Sequence, residues 1–320
     1  AKVSLITVSR AFNSPDRLAP ETLRRVKEAA EKFGYIPNAV AGELSSRRSR
    51  VVAAVVPTLS HSNFARTIEG LVAGLSKERY ELLLSSSEFS LEREEQIVGT
   101  FLERRPDAIV LIGSDHTAKL RKLLKHTQVP VLELWALDRP VIDMAVGFSD
   151  YQAMRAMTQH IIDEGRQRIG YIDFYRSNVA RYVDRRKGFV EAVSDAGMDA
   201  TLVARSPTPK DYESGRQCLT ELLEREPSLD AIIGCTDIHA AGAIFECTTR
   251  GISIPERLAV AGFGDFEIAA AIQPSLSTVR SHAYEMGCQA AEMLLCRISG
   301  KGTKSSPLDV GFELLVRSST

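Results

Sequence analysis

From residue 51 onward, hydrophobic positions fall in short unbroken runs separated by amphipathic stretches. Val51, Val52, Ala53, Ala54, Val55 and Val56 lead to Pro57, a run short enough for a strand buried on both faces. Similar runs lie at 81–84, 107–113 and 129–134, with helical spacing over 64–77, 91–104 and 119–126. The series then repeats. Helical patterns over 151–164, 186–196, 212–225 and 240–250 alternate with apolar runs at 168–174, 201–203, 230–235 and 258–263. Strands alternating with helices predict an α/β fold with parallel sheets covered on both faces. Two such series in succession predict two doubly wound subdomains. Their shared cleft, at the carboxyl ends of the strands, is where a ligand is expected. Before residue 51 the texture differs. Val8, Ala11 and Phe12 make a helical stripe, with Ser4 placed to cap it. A second helix has Pro20 in its first turn, a stripe of Leu23, Val26, Ala30 and Phe33, and Gly34 as its stop.

At 320 residues the chain exceeds one typical core, so two or three domains are expected. With 44% apolar residues and a net charge of −1, the composition is that of an ordinary globular protein. The average hides an asymmetry: residues 1–50 carry a net +5 and the remainder a net −6. A basic head on an acidic body suggests a polyanion partner for the head. Cys218, Cys235, Cys247, Cys288 and Cys296 show no CxxC pair or regular spacing. Buried free thiols are therefore expected, in a reducing cytoplasm. No apolar run reaches the length of a membrane span and no signal peptide is visible.

Thr7, Ser9, Arg10 and Asn13 lie off the first stripe and are types that bond phosphates or base edges. Together with Val3-Ser4, Val8, Gly34-Tyr35-Ile36-Pro37-Asn38 and Ala41-x-x-Leu44, they resemble the DNA-binding headpiece of the lactose/galactose-repressor family. The resemblance runs over the whole chain. Residues 143–148 and 308–312 are most similar to the gluconate-utilisation repressors of that family. It implies a helix-turn-helix whose first helix would lie just before Ala1, so the numbering is expected to start inside the natural protein. The implied organisation is a partial headpiece (1–37), a hinge helix and linker (38–50) and two subdomains of periplasmic-binding-protein type. Residues 51–148 with 281–305 would form the first subdomain, and 149–280 with 306–320 the second. Periodicity alone does not show that crossing of the chain.

Carried over residue by residue, Leu5, Ile6 and Arg10 take the base-reading positions, where arginine grips guanine through two bonds. Ser4, Thr7, Ser9 and Asn13 are better phosphate candidates. Alternatively, Leu5 and Ile6 pack inside the headpiece. Asn38, Ala41 and Leu44 match the hinge helix, with Leu44 as a minor-groove wedge. Nine residues are too few for a stable free helix, so two copies would order on DNA. Arg47, Arg48 and Arg50 then fit phosphate contacts, although a plain interdomain linker with solvated basic charges would look the same.

In the body, Arg185-x-x-Gly188-Phe189 matches the family's effector-binding arginine, whose fork suits a carboxylate or vicinal hydroxyls. Asn63 and Phe64 sit at the first strand-to-helix loop, where relatives hold the ligand, and Trp135, after the fourth strand, is expected to face the cleft or else to serve the core or a dimer interface. The family's Asn-Asp reads Thr236-Asp237 here. Its Gly-Tyr-Asp-Asp reads Gly262-Phe263-Gly264-Asp265, so the first acid is missing unless Asp265 or Glu267 turns inward. Loss of that acid beside Arg185 fits an anionic sugar acid such as gluconate.

Catalysis finds no support: there is no Gly-x-Ser-x-Gly, no phosphate-cradling loop, no His pair at metal spacing and no dinucleotide fingerprint. No cofactor or metal is expected. The reading is a homodimeric transcriptional repressor that binds a pseudo-palindromic double-stranded operator and answers to a small effector. The alternative is a periplasmic-type sugar-binding protein without DNA binding.

Overall fold

The apolar run Val51–Val56 forms strand β1, which lies inside a sheet and has neighbours on both edges. The structure, a computed structural model, describes residues 1–13, 15–35, 48–135, 137–176, 178–207, 211–302 and 306–320. Strands β2 (Glu81–Ser86) and β3 (Ala108–Ile112) flank β1, and β4 (Val131–Leu134) and β5 (Met144–Gly147) follow outward from β3. All pair in parallel. β1, β3, β4 and β5 are covered on both faces, so they are buried with no alternation and, apart from Glu133 in β4, are apolar. Helices α3 (Ser62–Ser76), α4 (Leu91–Glu103) and α5 (Ala118–His126) make the crossovers. Ser90 and Thr117 cap α4 and α5 by accepting from the amides of Arg93 and Leu120.

The second subdomain repeats the design. Strands β6 (Ile169–Asp173), β7 (Val203–Arg205), β8 (Ala231–Gly234) and β9 (Ala259–Ala261) form a parallel sheet in the order β7-β6-β8-β9. It is covered by α6 (Asp150–Asp163), α7 (Ala180–Asp195), α8 (Asp211–Arg225) and α9 (Asp237–Arg250), with a short α10 (Glu267–Ala271) after β9. The chain then returns. Helix α11 (Ala283–Ile298) packs on α3 in the first subdomain. Their backbones touch because Gly70 and Gly287 lack side chains: a Cβ on either would fall 2.0 Å from a carbonyl oxygen, that of Tyr284 or of Thr67.

Four features depart from the sequence reading. Residues 144–147 form a strand that the run of apolar positions did not single out. Strand β11 (Leu308–Asp309) pairs with β5 of the first sheet, whereas all of 306–320 was assigned to the second subdomain. Only beyond it does the chain cross again, β12 (Glu313–Leu315) pairing antiparallel with β10 (Thr278–Arg280). Helix α7 starts at Ala180, six residues before the spacing indicated. Phe33 is exposed and not part of a buried stripe.

In the head, α1 (Leu5–Asn13) packs on α2 (Pro20–Lys32) through Ala11 and Val26, both buried. Gly34 does end the second helix: its N–H and that of Tyr35 return to the carbonyls of Glu31 and Ala30.

Candidate functional site

Two regions gather the chemistry, an exposed helix face in the head and the cleft between the subdomains. On the head, the Ser4 hydroxyl accepts from the Thr7 amide at 3.2 Å and bonds its hydroxyl at 2.9 Å, which fixes the start of α1. Leu5 and Ile6 are 88% and 64% exposed, so neither packs inside the described headpiece. Ser9 and Arg10 lie on the same open surface, Thr7 is half-buried, and Asn13 is the last residue of α1. An apolar pair projecting from the first turn of a helix, with an arginine one turn on, suits a DNA groove. Asn38, Ala41 and Leu44 lie outside the described residues, as does Arg47.

Residues 48–50 are fastened to the body. The Asp107 carboxylate accepts from the amides of Ser49 and Arg50, both at 3.0 Å. Arg48 donates to the Ile298 carbonyl and Arg50 to that of Glu78. Both arginines were expected to meet phosphates; here they join the end of the linker to the first subdomain.

Polar contacts among the described residues bridge the cleft. Asn63 donates to the Gly264 carbonyl at 2.8 Å, and Arg176 to the Phe89 carbonyl at 2.9 Å. Arg139 pairs with Asp184 at 3.0 Å, and Asp115 accepts from the Ala180 amide at 2.6 Å. Rings fill one side: Phe64 lies edge-on to Trp135 at 5.7 Å, and His61 tilts against Phe266 at 5.9 Å. Asn63, Phe64, Trp135, Arg185 and Thr236 do converge here, but around a void of only about 20 Å³, room for roughly one water.

Arg185 is occupied within the protein. Its Nε donates to Asp150 at 2.6 Å, its Nη1 to the Cys235 carbonyl at 2.8 Å, and its guanidinium lies 3.6 Å from the centre of the Phe263 ring. It ties α6, α7 and the loops after β8 and β9 together. Burial pushes the Asp150 carboxyl above its ordinary range, against the pull of Arg185.

Two expected ligand residues face elsewhere. Asp237 is buried and accepts from the Thr278 hydroxyl and, at 2.7 Å, from the Phe266 amide. Burial raises its pKa to about 7. It holds the loop after β9 against β10 and does not line the cleft. Asp265 turns outward to Arg280 at 2.8 Å and Arg317 at 2.6 Å. The acid missing at 264 has a steric cause as well. Gly264 has φ +129°, and a Cβ there would meet Asn63 at 2.9 Å and Phe266 at 2.7 Å.

Beside the small void lies a larger cavity of about 180 Å³. The loops after β2, β3 and β4 line one side, and Arg176, Asn178, Val179, Ala180, Arg181 and Asp184, around the start of α7, line the other. Trp135 and Arg181 border both spaces. This cavity brings together groups that the sequence pattern had not singled out: Glu94, Asp115, Asp150, Arg176, Arg181 and Asp184. Arg181 and Arg185 are one turn apart, and that i, i+4 spacing was the available signal. It was hidden because the helix was expected to start only at 186.

Behind the cavity wall, His116 is buried between two carboxylates, with Nδ1 2.6 Å from Glu94 and Nε2 3.1 Å from Glu133. Burial opposes a charge on this ring, yet the two acidic hydrogen bonds prevail and raise its pKa to about 9. Glu133 also accepts from the Ile142 amide at 2.5 Å. The brace links α4, the loop after β3, and β4. Among the described residues no cluster of His, Cys, Asp and Glu is arranged to hold a metal ion, and no helix is long and apolar enough to cross a membrane. None of the five cysteines forms a disulfide, and Cys218, Cys235 and Cys247 are buried.

Residues 1–38 match the family described as bacterial regulatory proteins, lacI family, and residues 158–320 match a periplasmic binding protein-like domain. The HTH-type transcriptional regulator GntR of Pseudomonas aeruginosa is 34% identical, over 100% of this chain and 93% of that protein. The solved structure of a LacI-family transcriptional regulator from Silicibacter pomeroyi superposes with a TM-score of 0.92 at 28% identity, covering 99% of this chain and 96% of that one. The transcription regulator GntR from Chromobacterium violaceum gives 0.80 at 32% identity, over 84% of this chain and 98% of that one.

Proposed function

The chain belongs to the LacI family of bacterial regulatory proteins and is a DNA-binding transcriptional regulator, and from this we propose that it is a cytoplasmic, homodimeric repressor whose operator binding answers to a sugar acid held between its subdomains. The observation that carries the proposal is the cavity itself, walled by both subdomains and crossed by hydrogen bonds. A ligand there has different contacts in open and closed arrangements, which is the requirement for shifting an equilibrium between them.

The route to DNA starts at Asp107. This residue sits just before β3, whose far end reaches the cavity, and it fixes residues 49 and 50. Rotation of the first subdomain would therefore carry the linker with it and change the spacing of two headpieces in a dimer. Effector and operator affinity are then coupled through one free energy.

D-Gluconate is the proposed effector. The two segments that resemble gluconate-utilisation repressors lie side by side, Leu308 and Asp309 pairing with Val146 and Gly147. A sugar-binding role without DNA is the weaker reading, because it leaves the exposed Leu5, Ile6 and Arg10 without a purpose.

The test is a salt-controlled titration of natural full-length protein against its upstream DNA. Arg10→Ala is expected to weaken operator binding by about tenfold or more, in line with one bidentate base contact. Equal binding of operator and scrambled DNA by the wild type would refute the reading.

A further inference from the structure

We propose that Arg181, and not Arg185, receives the anionic group of the effector, with the indole N–H of Trp135 as a second donor. This rests on the reading of the cleft as an effector site and specifies its chemistry.

The two arginines lie one turn apart on α7 and differ in what they touch. Arg185 is committed to Asp150, Cys235 and the Phe263 ring. Arg181 is 7% exposed and, among the described residues, makes no hydrogen bond or ion pair. The other arginines on the cavity wall are engaged, Arg139 by Asp184 and Arg176 by Phe89 and Tyr175. Removing a charge from water without a partner costs several kcal/mol. Such a group is retained where an acceptor is supplied from outside.

The surroundings hold Arg181 ready for that. Its guanidinium lies 5.1 Å from the centre of the Phe64 ring. Gly113 gives it room, since a Cβ there would fall 3.2 Å from Nη2. Trp135 is 5% exposed, and its Nε1 is buried without a partner. Two donors with no acceptor, a guanidinium and an indole, thus border one cavity.

The nearby carboxylates fix the class of ligand. Asp115 and Asp150 are close enough to act on the charge of Arg181, but their hydrogen bonds go to Ala180 and Arg185. Asp138, Asp184, Glu92 and Glu94 also line the cavity. Among the described residues, one arginine without an acceptor amid several acids accepts a single anionic head and repels a second. The acids suit hydroxyl donors, so the ligand is a polyhydroxylated monocarboxylate.

The test is calorimetric binding of D-gluconate, its neutral counterpart sorbitol, D-glucuronate and D-glucarate to full-length wild type and to Arg181→Gln and Arg181→Lys. Gluconate is expected to lose about 100-fold with Gln and about tenfold with Lys, while sorbitol binds weakly and equally to all three. Arg181→Gln should melt no lower than wild type, because no internal hydrogen bond or ion pair is lost. Gluconate binding to Arg181→Gln within threefold of wild type overturns the anchor and leaves the effector reading standing. If wild type ignores gluconate but binds glucuronate in an Arg181-dependent manner, the gluconate assignment falls and the anchor stands. Binding of sorbitol alone, of glucarate above gluconate, or of none of the four overturns the proposal.

Discussion

Asp115 in the first subdomain accepts a hydrogen bond from the backbone N–H of Ala180 in the second, at 2.6 Å. Ala180 opens α7, and no side chain from its own N-cap residue, Val179, satisfies that end. A carboxylate from across the cleft therefore caps the helix that carries Arg181, and helix start and cleft closure become one event.

Asp115→Ala should cost about 1 kcal/mol of stability, the ordinary loss for a missing cap. It should also open the cleft. Small-angle scattering should give a larger radius of gyration for the variant, and Asp115→Asn, which keeps an acceptor, should lie between the two. Identical scattering from wild type and Asp115→Ala would contradict the latch.

The buried Glu94–His116–Glu133 brace sets a pH limit. The hydrogen bonds to Glu133 and Glu94 hold the pKa of His116 at about 9 in the folded chain, above its ordinary value of 6.5. The raised value means that its contribution is fully present below about pH 6.5 and is lost as pH rises through 9. The difference corresponds to roughly 3 kcal/mol. Urea unfolding should show wild type losing about that much stability from pH 6 to pH 9.5. His116→Gln should be less stable at pH 6 and lack this slope.

Two glycines in helices should respond with opposite sign to alanine. Gly70→Ala forces α3 away from the Tyr284 carbonyl and should cost about 1–3 kcal/mol. Gly99 in α4 has open space around its Cβ position, so Gly99→Ala should be neutral or stabilising by up to about 1 kcal/mol. Denaturant midpoints measure both.

The layered α/β architecture was legible because strands covered on both faces need unbroken apolar runs, as in β1 and β3. β5 was harder to see. Its four residues Met144–Gly147 are short, and a glycine closes them. Leu308–Asp309 is a two-residue strand whose place depends on a partner 162 residues earlier. The start of α7 was invisible locally because its cap comes from Asp115. That hid the helical phase that puts Arg181 and Arg185 on one face. Residue type could mark Arg185 as a candidate, but only packing reveals that Asp150 already engages it. Likewise Asp265 had the right chemistry, and the positions of Arg280 and Arg317 decide its direction.

If the cavity around Arg181 holds the effector and the exposed face of α1 reads DNA, the two share one coupling free energy. The direct measurement is a reciprocal titration at fixed salt: operator affinity with and without saturating D-gluconate, and gluconate affinity with and without operator. The two ratios should be equal and at least fivefold, as coupling of about 1–3 kcal/mol requires. Operator affinity unchanged within twofold at saturating gluconate would contradict it.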